Sequence, residues 1–250
     1  MYLGFFCALK HNNQGFTYRS YIMSNLLFPA PEPSTIPIQG SDQVFPVRRI
    51  YCIGRNYADH AIEMGHDPDK EPPFFFQKNP DNINTSGEFP YPSMSQDVHF
   101  EMELVIALEK GGKNIPLTDA LNHVYGYALG LDMTRRDLQA QMKKMGRPWE
   151  IGKAFEHSAP ISPIYPASRT GHLDQGAISL EVNGEQRQQG NLNQMIWKTA
   201  EMISYLSRYY ELAPGDLIMS GTPAGVGAIQ IGDKLIGEID KLGKFEVLVV

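Results

Sequence analysis

The segment 99–108, HFEMELVIAL, is the sequence feature that most constrains the fold. In its first half apolar residues alternate with polar ones, a period of two that is typical of a β-strand with one buried face. On such a strand Glu101 and Glu103 lie on the same face while the apolar side chains pack on the other. Two carboxylates held this close repel each other unless a cation lies between them or one is protonated. The segment therefore predicts either a solvated strand face or a site for a hard cation such as Mg²⁺, Mn²⁺ or Ca²⁺.

Further strand-like segments follow one another with few helices between them. The segment 178–182 runs into Asn183-Gly184, a dipeptide that is typical of a two-residue hairpin turn. Because strands and helices do not alternate regularly, a doubly wound sheet is disfavoured and a β-rich α+β fold is predicted. Other strands are predicted at 49–53, 73–77, 216–220, 235–239 and 245–250, and helices at 58–64, 135–145 and 192–210.

Composition agrees with a globular domain and excludes several other classes. Apolar residues make up 42% of the 250 positions, and no run approaches the roughly 20 that a membrane helix requires. The net charge is −6, from 28 acidic and 22 basic residues, and no basic run appears. A nucleic-acid or anionic-membrane surface is therefore not expected. Two cysteines, Cys7 and Cys52, suit a reducing compartment, so we expect a cytoplasmic location.

Residues 1–44 are predicted to be an N-terminal extension of one catalytic domain at 45–250. Residues 1–31 contain no acid and lead into a proline-rich run, whereas no break in composition follows residue 45. We interpret Met23 as the natural start. Residues 1–22 would then be a loosely held segment whose deletion leaves the melting temperature and the activity nearly unchanged. An organelle-targeting leader, which is also acid-poor, is the alternative.

A third carboxylate strengthens the metal interpretation of Glu101 and Glu103. Asp132 ends the apolar run 129–131 at a junction between a predicted strand and a predicted helix. An acid at such a junction can supply a third oxygen ligand to a hard cation. The simpler interpretation, an exposed acidic strand, becomes less favoured when all three carboxylates are considered together.

His60 and Glu63 form a candidate acid–base pair. They lie three residues apart in a predicted helical turn, where two side chains can meet. A carboxylate bonded to one ring nitrogen orients the imidazole and raises its basicity, so that the other nitrogen can take a proton from water. By spacing alone, an ordinary pair on a helix surface is the commoner explanation.

Two further segments are suited to bind anionic groups. Lys153 lies in an apolar, glycine-containing stretch, where a buried ammonium group needs an anionic partner, unless it reaches the surface. The segment SGTPAGVG at 220–227 predicts a tight loop after a strand, in which Gly221 and its neighbours can present backbone N–H groups to an anion. This loop does not match the glycine patterns of ATP or NAD sites.

Taken together, five motifs resemble those of the fumarylacetoacetate hydrolase family in order and approximate spacing. The resemblance covers about residues 45–250, and within the family it is greatest to the fumarylpyruvate hydrolases. Two stretches carry this second likeness, DVHFEME at 97–103 and GNLNQMIW at 190–197. The five family motifs are GRNYADH at 54–60, FEMEL at 100–104, DMTRRD at 132–137, GKAF at 152–155 and SGTPAGVG at 220–227.

This resemblance implies a mixed β-sheet roll, usually assembled as a homodimer, with Mg²⁺ or Mn²⁺ as cofactor. It implies that Glu101, Glu103 and Asp132 hold the metal. It further implies that His60 and Glu63 activate water, often on a mobile lid, and that Lys153 is a catalytic cation. Arg136, Gln139 and Thr222 would contact the substrate. We assign Lys78 and Arg55 to its distal carboxylate.

The expected reaction is hydrolysis of a C–C bond in a 2,4-diketo acid. Fumarylpyruvate would give fumarate and pyruvate, as in gentisate-type degradation of aromatic compounds. Water activated by His60 would attack the carbonyl distal to the metal, and the oxyanion would be stabilised by Lys153. Cleavage of acetylpyruvate or decarboxylation of oxaloacetate at the same site is an alternative. A binding protein without turnover, which holds a metal or an oxo acid, is an alternative of another class.

Overall fold

Short strands dominate the computed structural model, which describes residues 26–58 and 72–250. The segment 1–22, His60, Glu63 and most of the helix predicted at 58–64 lie outside these residues. No helix in the described ranges is long and apolar enough to cross a membrane. The strands are β1 (Thr35–Pro37), β2 (Val44–Pro46), β3 (Arg49–Gly54), β4 (Phe74–Lys78), β5 (Ile83–Asn84), β6 (Glu88–Phe89), β7 (Val98–Phe100), β8 (Met102–Leu108), β9 (Val124–Leu131), β10 (Thr134–Arg135), β11 (Ala159–Pro160), β12 (Tyr165–Pro166), β13 (Ala177–Val182), β14 (Glu185–Asn191), β15 (Asp216–Met219), β16 (Gly227–Ala228), β17 (Lys234–Ile239) and β18 (Gly243–Val249).

Helices are few, as predicted. The α-helices that lie fully within the described residues are α1 (Arg136–Met145), α2 (Glu150–Lys153), α3 (Ala167–Thr170) and α4 (Thr199–Tyr209), and 3₁₀ helices span Pro80–Asn82, Ala120–His123 and Leu192–Gln194. Helix α1 matches the predicted helix at 135–145 to within one residue. It ends at Gly146, whose left-handed φ of 62° is the usual end of a helix. The prediction of a β-rich α+β fold is confirmed.

A six-stranded mixed sheet, in the order β12-β9-β8-β15-β3-β4, forms the centre of the fold. Strands β15 and β3 are parallel, and the other neighbours are antiparallel. Strand β8 is buried along its whole length, so of the two alternatives for this segment the solvated strand face is wrong. Leu104 and Ile106 belong to one hydrophobic cluster, and Val105 and Ala107 belong to a second. The sheet therefore has a core on each of its faces.

Different elements cover the two faces of the central sheet. The first cluster includes residues of the five-stranded sheet β14-β13-β17-β18-β6 and of helix α4. The second includes Ile36 and Phe45 from the β1–β2 pair, which adds strand structure to the segment before residue 45. In the five-stranded sheet, Asn183 and Gly184 have φ angles of 54° and 82°. These angles form the predicted turn between β13 and β14.

The helix predicted over 192–210 is wrong in its first half. The chain forms a 3₁₀ helix at Leu192–Gln194, and α4 begins only at Thr199. Between them, the N–H groups of Ile196 and Trp197 donate to the backbone and side-chain oxygens of Asn56, each at 2.7 Å. These donors are used for a contact with the turn after β3, so they do not continue a helix.

Candidate active site

Strand ends from the central sheet meet at one edge and carry the predicted site residues. Strand β8 begins at Met102, next to the end of β9 at Leu131. The ends of β3 and β15 lie at the same edge, because β3 runs parallel to β15 and β15 antiparallel to β8. Motifs that are far apart in sequence are therefore brought together.

Glu101, Glu103 and Asp132 form one buried carboxylate cluster. Each offers an oxygen, and these three oxygens all lie within 4.8 Å of one another. Glu101 lies between β7 and β8 rather than inside one strand, because the backbone around it turns from one sheet to the other. The backbone N–H of Asp132 donates to the carbonyl oxygen of Glu101 at 2.9 Å, which fixes the two acids side by side.

The surroundings of Glu103 favour a positive neighbour. Burial, followed by repulsion from Asp132 and Glu101, raises the pKa of Glu103 well above its usual range. The N–H of Gly221 donates to Glu103 Oε2 at 2.8 Å and opposes this shift. The glycine loop predicted to present N–H groups to an anion thus presents one to a carboxylate of the protein itself.

Lys153 is a buried cation that contacts two members of the cluster. Its buried Nζ lies 2.8 Å from Glu101 Oε2 and 2.7 Å from Asp132 Oδ2. Burial lowers the pKa of Lys153, but the charges of Asp132 and Glu101 outweigh it and raise the pKa above its usual value. Gly152 allows the segment that carries Lys153 to pack closely against α1, since a Cβ at residue 152 would lie 2.9 Å from the backbone nitrogen of Gln139. Lys153 is therefore an ammonium group with anionic partners, as predicted for a buried lysine.

Arg136 and Gln139 extend the site along helix α1. Arg136 Nη2 lies 2.6 Å from Glu101 Oε1, and Nη1 donates to Gln139 Oε1 at 2.7 Å. Both side chains line the same cleft as the carboxylates. Their predicted contact with substrate stays a prediction.

Thr222 lines the cleft but also holds the backbone of β8. Its hydroxyl donates to the carbonyl oxygen of Met102 at 2.7 Å and accepts from Nε2 of Gln188 at 2.8 Å. The other end of the Gln188 amide accepts from the N–H of Met102 at 3.0 Å. Gln188 therefore supports the carboxylate segment from β14, and no sequence signal identified it.

Lys78 lies behind the carboxylates and not in the cleft. Its side chain has no exposed surface, and its Nζ lies 2.8 Å from Asp132 Oδ1. It also donates to the backbone oxygens of Met133 and Lys153. The predicted contact between Lys78 and the distal carboxylate of a substrate is not supported by this placement, because the ammonium group is directed into the protein.

The mouth of the cleft is lined by aromatic and basic residues. Arg55, one of the predicted substrate contacts, lines it with its guanidinium carbon 5.1 Å from the centre of the Phe74 ring. Lys143 also lines the cleft but was not among the site residues predicted from the sequence. Its spacing from Arg136 and Gln139 nevertheless places all three on one face of a helix. The described residues around the cleft are Ile53, Gly54, Arg55, Phe74, Phe76, Glu101, Glu103, Asp132, Arg136, Gln139, Lys143, Trp149, Lys153, Gly221 and Thr222.

His60 and Glu63 lie outside the described residues, so their predicted roles stay predictions. The turn that leads to them is well anchored. The buried side-chain amide of Asn56 donates to the carbonyl oxygens of Ser220 and Trp197 at 2.8 and 3.0 Å. Asn56 thereby fixes the end of β3 beside the loop that contains Gly221.

The arrangement combines hard oxygen donors with positively charged side chains in contact with them. Three buried carboxylates suit Mg²⁺ or Mn²⁺ better than a soft metal. Lys153 and Arg136 can bind a carboxylate or donate to an oxygen that becomes negative. The site is therefore suited to a small anionic substrate with carbonyl groups.

Known proteins with similar sequences include two kinds of enzyme. The chain is 45% identical to a fumarylpyruvate hydrolase of Ralstonia sp over 189 residues, which cover 74% of this chain and 98% of the relative. It is 39% identical to an oxaloacetate tautomerase of Escherichia coli (strain K12) over 203 residues, with coverage of 81% and 93%.

A similar structure is that of fumarylpyruvate hydrolase from Pseudomonas aeruginosa, in complex with Mn²⁺ and pyruvate. It shares 57% sequence identity with this chain and superposes with a TM-score of 0.89, covering 90% of this chain and 99% of the other. The family model of the fumarylacetoacetate (FAA) hydrolase C-terminal domain matches residues 49–250. The chain therefore belongs to the fumarylacetoacetate hydrolase C-terminal family.

Proposed function

We propose that the protein is a divalent-metal-dependent hydrolase that cleaves the C–C bond of fumarylpyruvate to give fumarate and pyruvate. The observation that carries this proposal is the buried cluster of Glu101, Glu103 and Asp132 with Lys153 in contact with two of its members. Support also comes from the similarity to fumarylpyruvate hydrolases, one of which binds Mn²⁺ and pyruvate.

The carboxylate cluster fits a divalent cation. Asp132 Oδ1 is buried and lies 2.8 Å from Lys78 Nζ as an ion pair, and each of the three acids offers an oxygen within 4.8 Å of the others. Burial, followed by repulsion from Asp132 and Glu101, raises the pKa of Glu103, and a divalent ion would relieve this repulsion. We assign Glu101, Glu103 and Asp132 as ligands of Mg²⁺ or Mn²⁺. A bound ion would act as a Lewis acid that neutralises negative charge on a 2-oxo carboxylate.

The other residues of the cleft bind the substrate and stabilise charge. Arg136, beside Glu101, can bind the carboxylate of the pyruvate part. The ammonium group of Lys153 can donate a hydrogen bond to the carbonyl oxygen that becomes negative when water adds. Gln139 holds Arg136 in place and presents its amide to the cleft.

His60 and Glu63 are proposed to activate the water molecule. The imidazole would take a proton from water as the oxygen attacks the acyl carbonyl, and Glu63 would stabilise the imidazolium. When the C–C bond breaks, its electron pair stays on the pyruvate part, which then takes up a proton. His60→Ala is expected to lower kcat by about 10²- to 10⁴-fold and to leave the affinity for Mn²⁺ unchanged.

The similarity to an oxaloacetate tautomerase supports a second candidate, in which the same site acts on oxaloacetate. The two candidates share the metal and the 2-oxo acid and differ in the part of the substrate that fills the mouth of the cleft. Acetylpyruvate hydrolysis is a third possibility of the same kind.

A substrate panel on metal-loaded protein tests the proposal. Fumarylpyruvate, maleylpyruvate, acetylpyruvate and oxaloacetate are compared with and without EDTA, and pyruvate release and oxaloacetate tautomerisation are followed separately. Fastest release from fumarylpyruvate, abolished by EDTA and restored by Mn²⁺, is the expected result. Faster turnover of oxaloacetate would favour the second candidate, and no turnover would favour a binding protein.

The homodimer and the cytoplasmic location also stay proposals. The family resemblance supports the dimer, and light scattering after gel filtration tests it directly. A mass of one chain would contradict it. Fractionation of the source cells tests the location.

A further inference from the structure

We propose that Lys143, together with Arg55, forms an anion-binding subsite at the mouth of the cleft. This mouth subsite would hold the second carboxylate of a dicarboxylic diketo acid such as fumarylpyruvate. The inference rests on the proposed function and deepens it, because it assigns the residues that select the acyl group.

One face of helix α1 runs along the cleft from its base, at the buried carboxylates, to its mouth, where the cleft meets solvent. Arg136, Gln139 and Lys143 all line the cleft and follow one another at spacings of three and four residues. Arg136 contacts the metal-site carboxylate Glu101, whereas Lys143 is exposed. Seven helical residues span about 10 Å along the axis. Six carbon–carbon bonds separate the two carboxylate carbons of extended fumarylpyruvate and span about 7.5 Å, a length that suits this separation.

Arg55 approaches the same mouth from the end of strand β3. Its backbone has a φ of 60°, a left-handed conformation that sets the turn after Gly54. The Phe74 ring packs directly over Gly54, where an added Cβ would lie 2.1 Å from the nearest ring atom. The guanidinium group of Arg55 then lies over this ring, which orients its charge by a cation–π contact.

An apolar wall separates the base of the cleft from the basic mouth. Phe74 and Trp149 pack edge to face with ring centres 5.2 Å apart, and the ring centre of Phe76 lies 5.9 Å from that of Trp149. Such an aromatic wall is largely apolar and suits a flat, conjugated carbon chain. The carboxylates that line the described part of the cleft are Glu101, Glu103 and Asp132, all of them buried. The cleft thus matches an acyl group with an apolar middle and an anionic end.

The test compares two substrates that differ in this anionic end. Fumarylpyruvate has the distal carboxylate, and acetylpyruvate lacks it. Lys143→Met and Arg55→Gln are each expected to lower the ratio of kcat/KM for fumarylpyruvate to that for acetylpyruvate by about tenfold, mainly through KM. Lys144→Met is the matched control, because Lys144 is the next residue of α1 and is exposed but does not line the cleft. Its ratio should equal that of the wild type.

Binding of the two products gives an independent measurement that needs no turnover. By calorimetry with Mn²⁺-loaded protein, Lys143→Met should weaken fumarate binding about tenfold and leave pyruvate binding unchanged. An unchanged ratio and unchanged fumarate affinity in Lys143→Met would overturn the mouth subsite. Equal losses for fumarylpyruvate and acetylpyruvate would also overturn it, since the role would not concern the distal carboxylate. Neither result would affect the proposed hydrolysis, which depends on turnover by the wild type.

Discussion

The ammonium group of Lys78 lies 2.8 Å from Oδ1 of Asp132, and neither side chain has more than 1% of its surface exposed. The same ammonium group donates hydrogen bonds to the backbone oxygens of Met133 and Lys153. It therefore connects Asp132, the acid that follows β9, with the segment that carries Lys153. We interpret Lys78 as a positioning residue that supports Asp132 from behind.

Lys78→Met is expected to lower the free energy of unfolding by about 3 kcal/mol, because it removes one partner of a buried ion pair. Urea denaturation of the metal-free protein measures this change. Lys234→Met is the matched control, since Lys234 lies 2.7 Å from Glu246 but both side chains are half exposed. An exposed pair contributes less than about 1 kcal/mol. Equal losses in the two variants would contradict the positioning role.

Gly221→Ala is expected to destabilise the protein by about 2–3 kcal/mol. Gly221 has a φ of 89°, and an added Cβ would lie 2.8 Å from Cβ of Asn56. The substitution therefore combines backbone strain with a clash against a buried side chain. Gly232→Ala serves for comparison, because Gly232 has a φ of 94° with open space around it and so shows the strain alone. Thermal unfolding of both variants separates the two effects, and a similar loss in each would argue against the clash.

Divalent cations are expected to stabilise the folded protein through the carboxylate cluster. At a Mn²⁺ concentration about 100 times the Kd, binding adds about 2.7 kcal/mol. For a chain of this size the melting temperature should rise by about 5–10 °C. Asp132→Asn and Glu103→Gln should each remove most of this rise, whereas Glu185→Gln, on an exposed strand end, should retain it. A full rise in Asp132→Asn would exclude this residue as a ligand.

The contribution of Asp137 to stability should depend on pH. Burial raises its pKa, but hydrogen bonds from Ser95 and from the backbone of Leu138 and Gln96 outweigh burial and lower the pKa below its usual value. A lowered pKa in the folded state stabilises the protein above the unfolded pKa of about 3.9, and this stabilisation is lost as the pH falls through the folded pKa.

Asp137→Asn should therefore reduce the free energy of unfolding by about 1–2 kcal/mol at pH 7. The difference from the wild type should stay constant down to about pH 5 and shrink below about pH 4. Urea denaturation at several pH values measures it. Asp42→Asn, on an exposed loop, is the control, and its effect should stay within about 0.5 kcal/mol throughout. If the loss of unfolding free energy in Asp137→Asn grew as the pH fell, a lowered pKa of Asp137 could not be its cause.

Local patterns in the sequence predict those helices and strands that are determined by residues close to one another in the chain. The strand at Arg49–Gly54 and the helix at Arg136–Met145 follow from apolar runs and from stop signals such as Gly146. The segment 192–198 could not be predicted in this way. Its backbone donors bond to Asn56, which lies 141 residues away, and no local pattern encodes such a contact.

The same distinction applies to the candidate site. The three carboxylates and Lys153 were recognisable because charged residues in apolar segments need partners. The direction of Lys78 was not, because a lysine at the end of a strand can face either solvent or the interior. Lys143 carried a helical spacing signal from Arg136 and Gln139, but only the structure identifies that face of the helix as a wall of the cleft.

The hydrogen bond between Gly221 and Glu103 joins residues 118 positions apart, and that between Asn56 and Ser220 spans 164. During synthesis on the ribosome, the three acids emerge long before the loop that completes their surroundings. A nascent chain that stops short of β15 lacks both the amide donor for Glu103 and the strand that separates β8 from β3. The surroundings of the three acids are thus complete only in the finished polypeptide. A truncated product would carry the acids without the loop and the strand that normally surround them.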